Sequence, residues 1–212
     1  MPWGMHDFYD HTGLIGVAGL IGDTVFLDGN DNGQPDSGEG LQGVVVKLYQ
    51  APKLGDPDPV NPVAWTTTNA EGVYAFAHVN VYGDWLVKVD TTSLPFAGAG
   101  LANTVDPDDG DDSKSLVSNL AATGNLNLDQ DFGYRASNPA TLGGTIWQDL
   151  DANGVLDPSK PYLQLVNITV ELRDEKGNKV ATTQTDSQGN YRFTGLPAGT
   201  YSVHVTDTRN LL

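Results

Sequence analysis

One short stretch of this chain places oxygen-bearing residues at the intervals a hard cation requires. In Asp28-Gly29-Asn30-Asp31-Asn32-Gly33-Gln34-Pro35-Asp36-Ser37-Gly38-Glu39, Asp28, Asn30 and Asn32 stand at loop positions one, three and five. Gly33 at six permits a sharp turn, and Gln34 at seven offers its backbone carbonyl. Asp36 at nine binds directly or through a water, and Glu39 at twelve is long enough to close the site with both oxygens. Short arms converging on one point suit Ca2+, which takes six to eight oxygens at about 2.3–2.6 Å. The competing reading is an Asp/Asn/Gly-rich turn that holds no ion, and a glutamate at the closing position speaks against it.

Two further acidic stretches invite the same question. Asp149, Asp151, Asn153, Gly154 and Asp157 repeat the first loop's pattern, with the carbonyl of Val155 at position seven. Lys160 stands at position twelve, where an ammonium cannot ligate a cation and repels it. The expectation is a weaker Ca2+ site completed by water, or else a turn held by hydrogen bonds alone. Asp106-Pro107-Asp108-Asp109-Gly110-Asp111-Asp112 carries carboxylates that repel one another without a counterion. Asp106, Asp108, Asp109 and Asp111 are the candidates for a third cation site, against the alternative of a solvated loop.

Other chemistry is poorly provided for. There is no cysteine, which excludes disulfides, zinc–thiolate sites, iron–sulfur clusters and a thiol nucleophile. Paired carboxylates could serve a glycosidase, but turn aspartates rarely occupy a dry cleft and nothing separates an acid from a nucleophile. His6, His11, His78 and His204 lack metal-ligand spacing, and no Gly-x-Ser-x-Gly elbow occurs. Lys plus Arg number 11 against 27 Asp plus Glu, a net charge of −16, which argues against nucleic acid and against a basic membrane-surface patch. No apolar run reaches the ~20 residues of a membrane helix. No secretory signal opens the chain at Met1-Pro2-Trp3-Gly4-Met5-His6. Trp85 and Trp147 align with Tyr201 and Phe26 in the internal repeat described next, so they are expected in the core. Trp65 stays as a candidate contact for a sugar or a protein.

The elements that position these loops are strands. The acid is 23 Asp and only 4 Glu, beside 25 Gly and 12 Pro, a composition poor in helix formers and rich in turn formers. Ile168, Val170 and Leu172 alternate with polar residues, as do Tyr201, Val203 and Val205, and Trp85, Val87 and Val89. Such runs bury one face and wet the other, as in antiparallel sheets. Asn69–Gly72 and Asp186–Gly189 read as hairpin turns.

The chain also matches itself. Ile21-Gly22-Asp23-Thr24-Val25-Phe26-Leu27-Asp28 aligns with Leu142-Gly143-Gly144-Thr145-Ile146-Trp147-Gln148-Asp149, and Gly72-Val73-Tyr74-Ala75-Phe76 with Gly189-Asn190-Tyr191-Arg192-Phe193. Gly83 to Val89 aligns with Gly199 to Val205. Residues 20–135 form one copy, 136–141 a linker, and 142–212 a second copy that lacks the counterpart of 94–135. Residues 1–19 are a separate segment, in which Asp7-Phe8-Tyr9-Asp10 echoes Asp131-Phe132-Gly133-Tyr134 as the tail of a preceding copy would, with chance as the equal alternative. The expected fold is all-β: tandem antiparallel β-sandwiches, the second incomplete, with successive copies nearly end to end.

The motif set resembles a known family. Gly22-Asp23-x-Val25-Phe26-x-Asp28 with its loop, Gly43-Val44-x-Val46-x-Leu48, Gly72-x-Tyr74-x-Phe76 and Asp131-Phe132-Gly133-Tyr134 together resemble the B-type repeats of serine–aspartate repeat adhesins, within the wider collagen-adhesin B-type domains of bacterial surface proteins. The resemblance implies a transthyretin-like or immunoglobulin-like sandwich on the cell surface, with Ca2+ as cofactor. It implies a stalk role, with neighbouring repeats of the same chain as partners and a head domain elsewhere that meets an extracellular protein or glycan. Asp28, Asn30, Asn32, Asp36 and Glu39 carry over as metal ligands, and Lys160 departs from the pattern. Some relatives cross-link themselves by a Lys–Asn isopeptide bond; Thr24–Leu27 contains no lysine, so none is expected here. The alternative function is a non-catalytic module recognising polysaccharide or a host protein.

Overall fold

The computed structural model describes residues 18–53, 57–157, 159 and 164–206. The Asp7–Asp10 echo and Lys160 lie outside the described residues.

The chain is all-β. Nine strands build the first sandwich: β1 (Ala18–Leu27), β2 (Val45–Gln50), β3 (Ala64–Thr67), β4 (Val73–Asn80), β5 (Trp85–Val89), β6 (Leu101–Val105), β7 (Lys114–Val117), β8 (Leu126–Asn127) and β9 (Phe132–Ala136). One sheet runs β4-β1-β9-β6, with β8 also on β1, and the other runs β3-β2-β5-β7. The sequence alternation explains the layering. Tyr74 and Phe76 on β4 point inward between exposed Val73, Ala75 and Ala77. They meet Val46 and Leu48 of β2 and Val87 and Val89 of β5 from the facing sheet. Phe26, Phe132 and Tyr134 are essentially sealed from solvent.

The second copy repeats the plan with fewer strands: β10 (Ala140–Thr145), β11 (Thr169–Arg173), β12 (Lys179–Gln184), β13 (Asn190–Leu196) and β14 (Ser202–Thr206). β10 pairs β13 as β1 pairs β4, and β12-β11-β14 reproduces β3-β2-β5. Val170, Leu172, Val180, Phe193 and Leu196 form its interior. On β14, Val203 and Val205 remain partly exposed, whereas the first copy covers the matching edge of β5 with β7.

Two local devices recur in both copies. Thr68 is buried; its hydroxyl donates to the Leu41 carbonyl at 2.5 Å and accepts from the Val44 N–H at 2.9 Å. Thr185 makes the same pair of bonds, to the Leu165 carbonyl at 2.6 Å and from the Ile168 N–H at 2.9 Å. Each threonine thereby ties the strand entering the hairpin turn to the chain entering β2 or β11. The second device is a bulge. His78 on β4 sits at φ +60, unpaired where the β1 register slips between Gly19 and Leu20. Gly195 occupies the matching place on β13, at φ +68.

Two pairings depart from the antiparallel rule. β9 lies parallel to β1, with Val25–Leu27 beside Phe132–Tyr134, and β8 is parallel to β1 as well. Alternation shows which face of a strand is buried but not which neighbour it takes, so this could not be read from the sequence. Its effect is to bring the end of β9 to the same pole as the loop that follows β1. The Asp28 N–H donates to the Tyr134 carbonyl at 2.8 Å, joining the two there.

Candidate metal centre

The first acidic loop leaves β1 at Leu27 and returns at Gly40, which bridges Phe26. Leu27 N–H donates to the Glu39 carbonyl and Leu41 N–H to the Val25 carbonyl, both at 2.9 Å, so the base of the loop is a closed ladder. The flanking elements are strands, not helices. A Cβ on Gly40 would meet the Glu71 carbonyl oxygen and Gly72 nitrogen well inside contact distance, so this position tolerates only glycine.

Inside the loop the side-chain oxygens are taken up by the loop's own N–H groups, and its carboxylates do not form a close group of three. Asp28 is only 2% exposed, and its two carboxylate oxygens accept the Asn32 and Gly33 N–H groups, each at 3.1 Å. Gly33 turns the chain at φ +71. Asn30 Oδ1 accepts the Asn32 N–H at 3.2 Å, and Asn32 Oδ1 accepts the Gln34 N–H at 2.8 Å. The amide nitrogens of Asn30 and Asn32 both donate to Asp36 Oδ2, at 2.8 and 2.7 Å. Glu39 closes the ring: Oε1 accepts the Gly29 N–H at 3.1 Å and Oε2 the Asp36 N–H at 3.2 Å. Burial raises the Glu39 carboxyl above its ordinary value, and the charges of Asp36 and Asp28 add to that. Arg135, from the end of β9, pairs with Asp31 at 2.6 Å.

This donor set fits a hard divalent cation. Positions one, three, five, nine and twelve lie in one loop, and the amide donors of Asn30 and Asn32 meet on Asp36 Oδ2, as a cation could. To offer their Oδ1 atoms to an ion at that point, those two amides would turn over and give up the Asn32 and Gln34 N–H groups they now accept. Asp28, Asn30, Asn32, Asp36 and Glu39 would then hold the ion with the Gln34 carbonyl.

The second loop shares the frame but not the closure. Asp149 accepts the Asn153 and Gly154 N–H groups at 3.2 and 2.8 Å, as Asp28 does in the first loop, and these bonds hold its carboxyl below the ordinary carboxylate value. Asn153 Nδ2 donates to Asp151 Oδ2 at 2.9 Å, and Asn153 Oδ1 accepts the Val155 N–H at 2.7 Å. Asp157 Oδ1 accepts from the Ser159 N–H and hydroxyl, at 2.9 and 2.6 Å. Asp149 is exposed where Asp28 is buried.

In the third stretch the grouping differs from the expectation. Asp106, Asp108 and Asp112 bring carboxylate oxygens within 4.8 Å of one another. Asp109 and Asp111, both at positive φ, are not in that group, and Asp112 stands in their place. A run of aspartates does not reveal which of them the turn will reverse. Burial raises the Asp106 carboxyl to about 7, helped by a hydrogen bond that its protonated form donates to Asp108 and by the charges of Asp108 and Asp112. Lys114 already pairs with Asp112 at 3.2 Å and with Asp58 at 3.0 Å.

A carboxyl pair went unnoticed in the sequence. Asp23 on β1 and Asp131 at the start of β9 stand close enough for their charges to act on each other, and Asp131 Oδ1 accepts the Thr24 N–H at 3.1 Å. Burial raises Asp131 to about 6, with the Asp23 charge next in weight. The only sequence signal was the place of Asp131 at the head of Asp-Phe-Gly-Tyr. A carboxyl raised in the folded state opposes folding once it must ionise. The penalty is absent below the unfolded value near 4 and grows until the pH passes about 6. Asp131→Asn is therefore expected to stabilise the chain at pH 7.5 by about 1 kcal/mol, discounted for partial exposure, and by nothing at pH 4. Urea midpoints at the two pH values check this.

Trp65 projects from the edge strand β3 and is 66% exposed, whereas Trp85 is buried. His204 lies exposed on β14.

Two stacked all-β sandwiches, each with an acidic loop at the end of its first strand, define a class of tandem repeat module. The SdrD B-like domain model matches residues 19–134 and 140–212. The chain belongs to the SdrD B-like domain family. It is 34% identical over 188 residues to serine-aspartate repeat-containing protein F of Staphylococcus epidermidis, covering 87% of this chain and 10% of that protein. It is 32% identical over 184 residues to serine-aspartate repeat-containing protein D of Staphylococcus aureus (strain Newman), covering 86% of this chain and 13% of that protein. The chain thus spans about a tenth of the length of the curated relatives it matches. Among solved structures, the shaft pilin SpaA from Lactobacillus rhamnosus GG aligns with a TM-score of 0.41 at 12% identity, over 92% of this chain and 89% of that one. Both copies of the chain are therefore repeats of one structural domain family.

Proposed function

We propose that this chain is a Ca2+-stiffened stalk segment of a bacterial cell-surface adhesin. The observation that carries the reading is the first loop. Asp28 is buried just past β1 and Glu39 stands beside the Gly40 bridge, so the first and last oxygen donors of the twelve-residue pattern stand at the two ends of one loop closed by backbone pairing, and this supports the reading. A cation there joins the end of β1 to the chain leading into β2. It removes the repulsion among Asp28, Asp36 and Glu39 and restrains the loop against opening and proteolysis. Neighbouring repeats of the same chain are the direct partners. An extracellular protein or glycan would be met by a head domain elsewhere in the parent, and neither nucleic acid nor membrane insertion is involved. The second loop holds Ca2+ more weakly, because Asp157 is turned toward Ser159. The acidic group of the first copy is already neutralised in part by Lys114.

Exposed Trp65 on edge strand β3 supports the second reading, a module that binds glycan or protein through that edge.

Calorimetric titration of the metal-stripped chain with CaCl2 tests the leading reading. The expected isotherm has one tight step that Glu39→Gln abolishes and one weak step that Asp149→Ala abolishes. A flat isotherm at millimolar Ca2+ refutes it.

A further inference from the structure

Parallel pairing of β1 with β9 gathers loop 28–39 and the chain's exit at Ala136 at one pole of the first sandwich. The second sandwich is seated on that pole, and it grips the loop by both ends. Near the start, the Thr194 hydroxyl donates to the Gly29 carbonyl at 3.2 Å. The Gly195 bulge of β13 lies so close that a Cβ there would stand 2.4 Å from the Gly29 Cα. Near the end, the Thr182 N–H of β12 donates to the Gly38 carbonyl at 2.8 Å. A Cβ on Gly38 would stand 2.1 Å from the Thr182 carbonyl oxygen. Just past the loop, Gln42 N–H donates to the Lys179 carbonyl, and Lys179 N–H donates back to Gln42 Oε1, both at 3.2 Å. One contact is independent of the loop: the Phe96 and Tyr201 rings meet edge to face with centroids 5.1 Å apart, with Gly199 against Phe96.

Gly29 follows Asp28 and Gly38 precedes Glu39. Two loop residues that touch the second sandwich, Gly29 and Gly38, are thus bonded to the first and last ligand residues of the loop. We infer that this loop is the seat on which the next repeat docks, and that cation occupancy of the loop sets the angle between the two repeats. The inference rests on reading the loop as a Ca2+ site. With the ion bound, Asp28 and Glu39 are drawn to one point, and the carbonyls of Gly29 and Gly38 are held in register with β13 and β12. Without it, repulsion among the carboxylates loosens both glycines, and the second repeat swings about the short connection between β9 and β10. By reciprocity, a docked second repeat tightens Ca2+ binding by the same factor that Ca2+ tightens docking.

The chain has no cysteine, so two labels can be placed cleanly. Asn61→Cys and Ser187→Cys lie on exposed turns of the first and second copies. Spin-label distances are measured in the full chain with CaCl2 and with chelator, alongside Ca2+ titration of the same protein. The expected result is a narrow distribution with Ca2+ that broadens or shifts in chelator, and that stays broad in both conditions for Glu39→Gln. Gly199→Leu drives a side chain into the Phe96 ring and lifts the second repeat without touching the loop. It should broaden the distances in both conditions and weaken the tight Ca2+ step about five-fold or more. If Ca2+ titrates normally while the distances are identical with ion and chelator, or if Gly199→Leu undocks the repeat with unchanged affinity, the seat is refuted and the Ca2+ site stands. If no Ca2+ binds at all, the site itself is refuted and the coupling falls with it.

Discussion

Removing Ca2+ from this chain is expected to lower the melting midpoint of the first sandwich by about 10 °C, and Asp28→Ala is expected to erase the difference. An ion held about 100-fold above its dissociation constant adds ~2.7 kcal/mol to the folded state. For a domain of this size each kcal/mol moves the midpoint by roughly 4 °C. Asp28 is the right residue to remove because it is buried and both of its oxygens are already committed to orienting the loop backbone. Its loss also strips acceptors from the Asn32 and Gly33 N–H groups, as removal of a capping side chain does, so the variant in chelator should melt below wild type in chelator by an amount worth about 1 kcal/mol. Scanning calorimetry of both proteins, each with Ca2+ and with chelator, reads these differences. Equal midpoints for wild type in the two conditions would leave the loop with no part in stability.

Thr68→Val should cost a similar amount with no ion involved. Valine keeps the shape but removes the hydroxyl, leaving the Leu41 carbonyl and the Val44 N–H without a partner in a sealed site. Each buried group left unpaired costs about 1–3 kcal/mol, so a loss of about 3 kcal/mol is expected. Thr68→Ser keeps the hydroxyl and should lose much less. Thr185→Val should do the same to the second sandwich, because it makes the matching bonds. Urea unfolding monitored by tryptophan fluorescence checks this, since Trp85 reports on the first copy and Trp147 on the second. A midpoint unmoved by Thr68→Val would show that these two groups find other partners.

Much of the architecture could be read before any coordinates. Strand alternation was clear because each sheet has one wet face, and the internal match between Ile21–Asp28 and Leu142–Asp149 reappears as equivalent pairings, β1 with β4 and β10 with β13. The turn of the first loop was legible because its determinants are local: Gly33 reverses the chain, and Asp28, Asn30, Asn32 and Glu39 each accept nearby backbone N–H groups. What escaped depends on distant partners. The closeness of Asp23 to Asp131 needs β9 beside β1, more than a hundred residues away in sequence. The replacement of Asp109 and Asp111 by Asp112 in the acidic group follows from residues at positive φ, which a run of aspartates does not announce. The buried threonines look like ordinary polar positions at the ends of strands until the carbonyls above them are seen.

The parallel neighbours β1 and β9 also determine how the module meets a pulling force. The first copy's chain enters at Ala18 on one side and departs at Ala136 on the opposite side, along adjacent strands that run the same way. Traction on the two ends slides these strands lengthwise past each other instead of peeling them apart. The bonds between Val25–Leu27 and Phe132–Tyr134, the link from Thr24 to Asp131 and the link from Asp28 to Tyr134 are then strained simultaneously, not one after another. A shear arrangement of this kind yields at far higher load than an unzipping one of equal thermodynamic stability.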